Sequence, residues 1–132
     1  MSEYVTYDNT AELFICSLIA SMYHMALVDG KYDPEERKYI SKTIQKYPEY
    51  FDSIRKVTNQ FEKANLKEEF IVNLLGQCKQ QFNEDQRMAL VEHSIEVLKA
   101  DGEIHDKEKM LVKTYLYSLG LNPRIAEKMI AM

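Results

Sequence analysis

Tryptophan does not occur in this chain, and glycine, proline and cysteine are scarce, at four, three and two residues of 132. So few Gly and Pro exclude the many tight turns of a β-sandwich or barrel. The two cysteines, Cys16 and Cys78, exclude a disulfide framework. Neither belongs to a CxxC pair or another ligand spacing, and each lies in an apolar stretch where a thiol behaves as a small hydrophobe, so both are expected buried and reduced. An excess of positive charge is also missing. The 17 basic and 21 acidic residues give a net charge of -4 with no basic cluster, which argues against nucleic-acid binding through phosphate neutralisation. No uninterrupted run of about 18 apolar residues appears, so no membrane span is expected. The start, Met1-Ser2-Glu3-Tyr4, lacks the basic and then apolar plan of a signal peptide, which makes the cytoplasm the expected location. Neither GxSxG nor a phosphate-cradling GxxxxGK[ST] is present, and no His accompanies a Ser or Cys in a recognisable nucleophile motif.

Hydrophobic residues form 45% of the chain and charged residues 29%, the balance of an ordinary globular protein. The length fits one domain, 1–132, able to fold without disulfides or metal. Apolar spacing repeats at three and four residues, and this period predicts an all-α chain of seven helices. The first runs over about 9–28, with Asn9 and Glu12 as a capping box. The second starts at Asp33 as N-cap, with Pro34 at the first helical position and Glu36 at the third, and ends near 47 ahead of Pro48. A third follows from Pro48 to about 64, Asn65 with Glu68 opens a fourth, and Asn83 caps a fifth that reaches about 100. The sixth spans about 106–119 and stops at Gly120, and Asn122-Pro123 starts a short seventh.

One pattern occurs twice. Asp29-Gly30-Lys31-Tyr32-Asp33-Pro34-Glu35-Glu36 and Asp101-Gly102-Glu103-Ile104-His105-Asp106-Lys107-Glu108 share an Asp-Gly after an apolar stretch, a bulky apolar residue two positions on and a Glu six positions on. Asp101 minus Asp29 and Glu108 minus Glu36 both give 72. The offset predicts a duplicated helix-loop-helix unit, about 9–47 and 83–119, whose copies pack with pseudo-twofold symmetry while the third and fourth helices connect them. In that register Glu12 matches Glu84, Leu18 matches Leu90, Met25 matches Val97 and Ile40 matches Val112.

With Leu119-Gly120-Leu121 after the following helix, these paired segments resemble those of the tellurite-resistance TerB-like family, over about residues 10–130. The resemblance implies a seven-helix fold with internal twofold symmetry and an acidic, metal-associated surface, in a family linked to tellurite and other stress responses. A related domain forms part of some membrane-attached co-chaperones, but this chain lacks their His-Pro-Asp signature, so that role does not carry over. The second copy departs from the first. His105 and Asp106 replace Asp33 and Pro34, and Lys107 replaces Glu35. Because His is a poorer cap than Asp, Asp106 is expected to take over the capping one residue later.

The candidate metal ligands are Asp29, Asp33, Glu36, Asp101, Glu108 and His105, with Glu103 and Asp106 nearby. Carboxylate oxygens suit calcium, magnesium or manganese, and a His among them admits zinc. A Gly directly after the Asp excludes an EF-hand, which needs Gly at loop position six. Caps alone account for Asp33, Glu36 and Glu108, since acids are favoured at a helix N-terminus. Asp29 and Asp101 come at helix C-termini, where the dipole disfavours an anion, so each needs an amide, a basic side chain or a cation. His24 and Glu96 are also 72 apart, and His93 stands three before Glu96, but a hydrogen-bonded structural His is the simpler reading. The seven Met would form a peptide or metal groove only if clustered in space. The expected function is a non-catalytic stress-response module that binds a divalent metal ion on an acidic surface and couples it to a protein partner. The alternative is a metal-independent interaction module, homodimeric through an apolar rim on the third, fourth and seventh helices. A metal-dependent hydrolase is disfavoured because no separate base or substrate-orienting Arg is identifiable.

Overall fold

A computed structural model describes residues 10–28, 34–100 and 104–131. Among the described residues all regular structure is helical: α1 (Thr10–Leu27), α2 (Pro34–Gln45), α3 (Phe51–Lys63), α4 (Lys67–Gln81), α5 (Glu84–Lys99), α6 (Asp106–Ser118) and α7 (Ala126–Ala131). Short 3₁₀ turns precede α3 and α7, at Pro48–Tyr50 and Pro123–Ile125. The all-α, seven-helix expectation therefore holds. Asn9 and Asp33, the expected caps of α1 and α2, lie outside the described residues.

The core is built around α1, which packs against α2, α3, α4 and α5. Leu18, Ile19, Met22, Met25 and Ala26 are fully buried, and they join Val57 and Phe61 of α3, Ile71 and Leu75 of α4, Val91 and Leu98 of α5, and Val112 and Leu116 of α6 in one cluster. Each such side chain contributes roughly 1.5–3 kcal/mol of transfer free energy. By length and composition α1 could cross a membrane, with a mean hydropathy of 1.4 over its 18 residues. Its burial, 72% of that window, gives the apolar surface another purpose: α1 is the central helix of the bundle.

Polar groups on α1 are tied in across the core. Cys78 donates its thiol to Ser17 Oγ at 3.1 Å, and both cysteines are free and buried. Tyr115 of α6 donates its hydroxyl to the Ser21 carbonyl at 3.1 Å and lies 2.8 Å from His24 Nδ1. A phenol has one proton, and with that proton on Ser21 the Nδ1–H must be the donor, which fixes the neutral tautomer of His24. Ser53 of α3 donates to Glu12 Oε1 at 2.9 Å, so Glu12 bridges to a neighbouring helix.

Helix ends follow the sequence unevenly. Asn83 and Gln86 form a reciprocal capping box at α5, with Gln86 N–H on Asn83 Oδ1 at 2.9 Å and Asn83 N–H on Gln86 Oε1 at 3.0 Å. α4 departs from expectation: Leu66, not Asn65, is its N-cap, and it has no side-chain cap. Lys67 Nζ instead donates to the carbonyls of Glu62 and Ala64, closing the end of α3 and joining the two helices at a tight corner. Pro48 opens a 3₁₀ turn, and the α-helix proper begins at Phe51. α6 ends in a Schellman motif, with Gly120 at φ 73°, Gly120 N–H on Tyr117 O and Leu121 N–H on Leu116 O. Arg87 of α5 donates to the Leu119 carbonyl at 2.7 Å, fastening this end to α5.

A shift of 72 residues carries the last residue of α1, Leu27, onto that of α5, Lys99, and the first of α2, Pro34, onto that of α6, Asp106. Both members of the pairs Leu18 and Leu90, Ile19 and Val91, Met25 and Val97, and Ile40 and Val112 are buried. Glu12 and Glu84 part company, the first buried and the second exposed.

Candidate functional site

The acids expected to hold a cation divide into two groups. Asp29, Asp33 and Asp101, with Glu103, lie outside the described residues. Glu36 and Glu108 are each the third residue of their helices, and each is 1% exposed. A carboxylate this deep needs hydrogen bonds or positive charge to offset its lost hydration. The position itself supplies part of that, since the first turn directs unpaired N–H groups and the positive end of the dipole at it. At α6 the bond is explicit: Glu108 Oε1 accepts the His105 N–H at 2.8 Å.

His105 occupies the N-cap position of α6 with extended backbone, φ -88° and ψ 163°. The expected transfer of capping to Asp106 does not occur; Asp106 is the first helical residue and is exposed. The reciprocal bond from Glu108 secures the helix start at His105 whatever the capping rank of histidine. Of the six candidate ligands, the structure brings His105 and Glu108 together and places Glu36 at the matching point of α2. Among the described residues no group of three His, Cys, Asp or Glu side chains is close enough to share a metal ion. The weaker candidates separate: His24 turns inward to Tyr115, whereas His93 and Glu96 are exposed on α5.

Four groups of the core, His24, Tyr115, Cys16 and Cys78, are held in their neutral forms. Burial lowers His24 to a pKa of about 4, with Lys67 adding a smaller push in the same direction. Burial raises Tyr115 well above its ordinary value, helped by the charge of Glu68. The Cys16 thiol is pushed up to about 12, by burial first and then by Glu12. Cys78 rises to about 11, burial outweighing its bond to Ser17. Neither thiol therefore supplies a thiolate at neutral pH.

Clefts open between helices, and three are lined by described residues. The first, about 440 Å³, is walled by Phe14, Tyr47, Tyr50 and Phe82, with Glu49 and Gln86 at its edge. A second, about 290 Å³, lies among Tyr23, Ile44, Phe51 and Ile54. A third, about 240 Å³, is formed by Met88, Glu92, Ile95, Glu96 and Lys99 of α5 and Met129 of α7. Sequence reasoning missed all three, because each draws side chains from segments far apart in the chain. Among the described residues the large exposed apolar side chains are Phe51, at the start of α3, Leu66 ahead of α4, and Met110 and Tyr117 on α6. Of the helices on which an apolar rim is expected, α3 carries Phe51 and α4 is preceded by Leu66, while α6 carries the other two residues.

No curated protein and no solved structure gives a significant match to the chain. Residues 16–130 match the family model described as tellurite resistance protein TerB, a span that takes in both Asp-Gly segments and every helix but the first turns of α1 and the end of α7. The chain belongs to the TerB family.

Proposed function

We propose that this protein is a non-catalytic, cytoplasmic stress-response module whose two Asp-Gly segments take up a divalent cation and couple it to a protein partner. We read the halves as a duplicated unit, each copy presenting one Asp-Gly segment between an apolar helix and an acid-led one. The observation that carries the cation reading is where the flanking helices end. α1 ends at Leu27 and α5 at Lys99, so Asp29 and Asp101 each follow two residues after a helix C-terminus. The carbonyl end of a helix repels an anion, and a bound cation offsets that repulsion. Glu36 and Glu108, at the start of the next helix in each copy, and His105 complete the oxygen-rich set together with Asp33.

Equilibrium dialysis of chelator-stripped protein against calcium, magnesium, manganese and zinc tests this. Wild type takes up one of these ions saturably, and the Asp29→Asn/Asp101→Asn variant does not while keeping its helical circular dichroism. Equal uptake by the two proteins rejects the assignment.

A second reading rests on the exposed apolar side chains, chiefly Leu66, Met110 and Tyr117, at 66%, 62% and 76% exposure. Side chains of this size left in water favour self-association. That reading makes the protein a metal-independent homodimer, and sedimentation showing only monomer at high concentration counts against it.

A further inference from the structure

Two methionines distant in the chain come together in space. Met88 of α5 and Met129 of α7, 41 residues apart, line one groove with Ile95. Ile95 and Met129 are buried and Met88 half-buried, so the floor is apolar and is set by two packed helices. Thioether side chains are flexible and polarizable, which lets such a floor accept apolar groups of different shape. The walls are charged: Glu92 and Glu96 stand one helical turn apart on the exposed side of α5, and Lys99 lies almost a turn further on. At about 240 Å³ the groove is smaller than the roughly 300–1,000 Å³ of small-molecule sites, so it suits one or two side chains rather than a whole cofactor.

We propose that this groove docks a basic amphipathic helix of a partner protein. An apolar anchor of that helix enters between Met88 and Met129, and Lys or Arg residues one turn apart face Glu92 and Glu96. Charge complementarity identifies the occupant: two of the three charged residues at the groove are acidic, in a chain whose net charge is -4. An acidic helix would meet both carboxylates head-on. Lys99 gives the groove a direction, since it favours a partner carboxylate at the C-terminal end of α5. This inference deepens the partner-binding half of the proposed function and is independent of the cation.

The test uses full-length protein labelled with ¹³C at the methionine methyls, in chelator, with Met88 and Met129 signals assigned by Met88→Leu and Met129→Leu. Two synthetic helical peptides of equal length are titrated, one of Leu and Lys, the other of Leu and Glu. The Leu/Lys peptide should shift the Met88 and Met129 signals saturably and the Leu/Glu peptide should not. Glu92→Lys/Glu96→Lys, two exposed positions whose change leaves the helical spectrum intact, should weaken the Leu/Lys peptide by about tenfold or more. Four results overturn the proposal: no shift of these two signals, an equal response to both peptides, unchanged affinity in the charge-reversed variant, or shifts that follow protein concentration alone and so assign the groove to a second copy. Because chelator is present throughout, failure of cation uptake in the Asp29→Asn/Asp101→Asn variant would leave these results unaffected, and the two claims fail separately.

Discussion

His24 makes the stability of the fold depend on pH through a single buried residue. Its ring lies between Phe61 and Tyr115, at centroid distances of 5.9 Å from each, with Nδ1 bound to the Tyr115 hydroxyl. Protonation would put a charge in that site beside the Lys67 cation, which is why its pKa falls from 6.5 to about 4 on folding. The folded state thus takes up the proton less readily than the unfolded one. Above the unfolded value both states are neutral at this residue and it makes stability no function of pH. As pH drops below 6.5 the unfolded chain binds a proton that the folded one refuses, and stability is lost until the folded value is reached. Between neutrality and pH 5 the loss from this residue is about 2 kcal/mol. Urea unfolding at the two pH values should show it in wild type and not in His24→Gln, whose amide can still donate to Tyr115. The same acid loss in both proteins would remove His24 as its cause.

Elements differ in how far their own residues determine them. α5 was legible because its start is chemically local: Asn83 and Gln86 satisfy each other's backbone amides within one turn. Asn83→Ala should cost about 0.5–2 kcal/mol, read as a lower urea midpoint at unchanged slope. A loss below the error of the midpoint would mean that packing alone sets this end. Asn65 and Glu68 carry the same signature in sequence, yet α4 starts at Lys67, because the corner with α3 is fixed by Lys67 reaching back to the Glu62 and Ala64 carbonyls. His105 was misjudged for a related reason. Its rank as a cap counts only its own side chain, whereas the bond that anchors α6 comes from Glu108. The Tyr115–His24 link and the Met88–Met129 groove were not legible at all, since helical period shows which face is buried and not which distant residue it meets.

At the scale of the molecule, the two segments that carry the candidate acids share a spacing and differ in charge. Pro34 and Asp106, 72 residues apart, each open a helix, and the third residue of each, Glu36 and Glu108, is buried alike. The halves differ just before it, where Asp33 has become His105 and Glu35 has become Lys107. The second segment carries less negative charge as a result, and the account expects the first segment to hold a cation more tightly. Sequence reading reached the acids because their spacing repeats at 72, and it reached the TerB fold for the same reason. It could not say which of these oxygens converge, because Asp29 and Asp101 are separated by the whole of α2 to α5.

Native mass spectrometry of chelator-stripped protein, titrated with calcium, magnesium, manganese and zinc, reads cation uptake and assembly in one experiment, because it counts ions per chain and chains per particle together. The account predicts saturable uptake of one of these ions by wild type, lost in the Asp29→Asn/Asp101→Asn variant at unchanged chain count. Spectra that stay metal-free at every concentration, for all four ions, would contradict it and leave the Asp-Gly segments as helix connections.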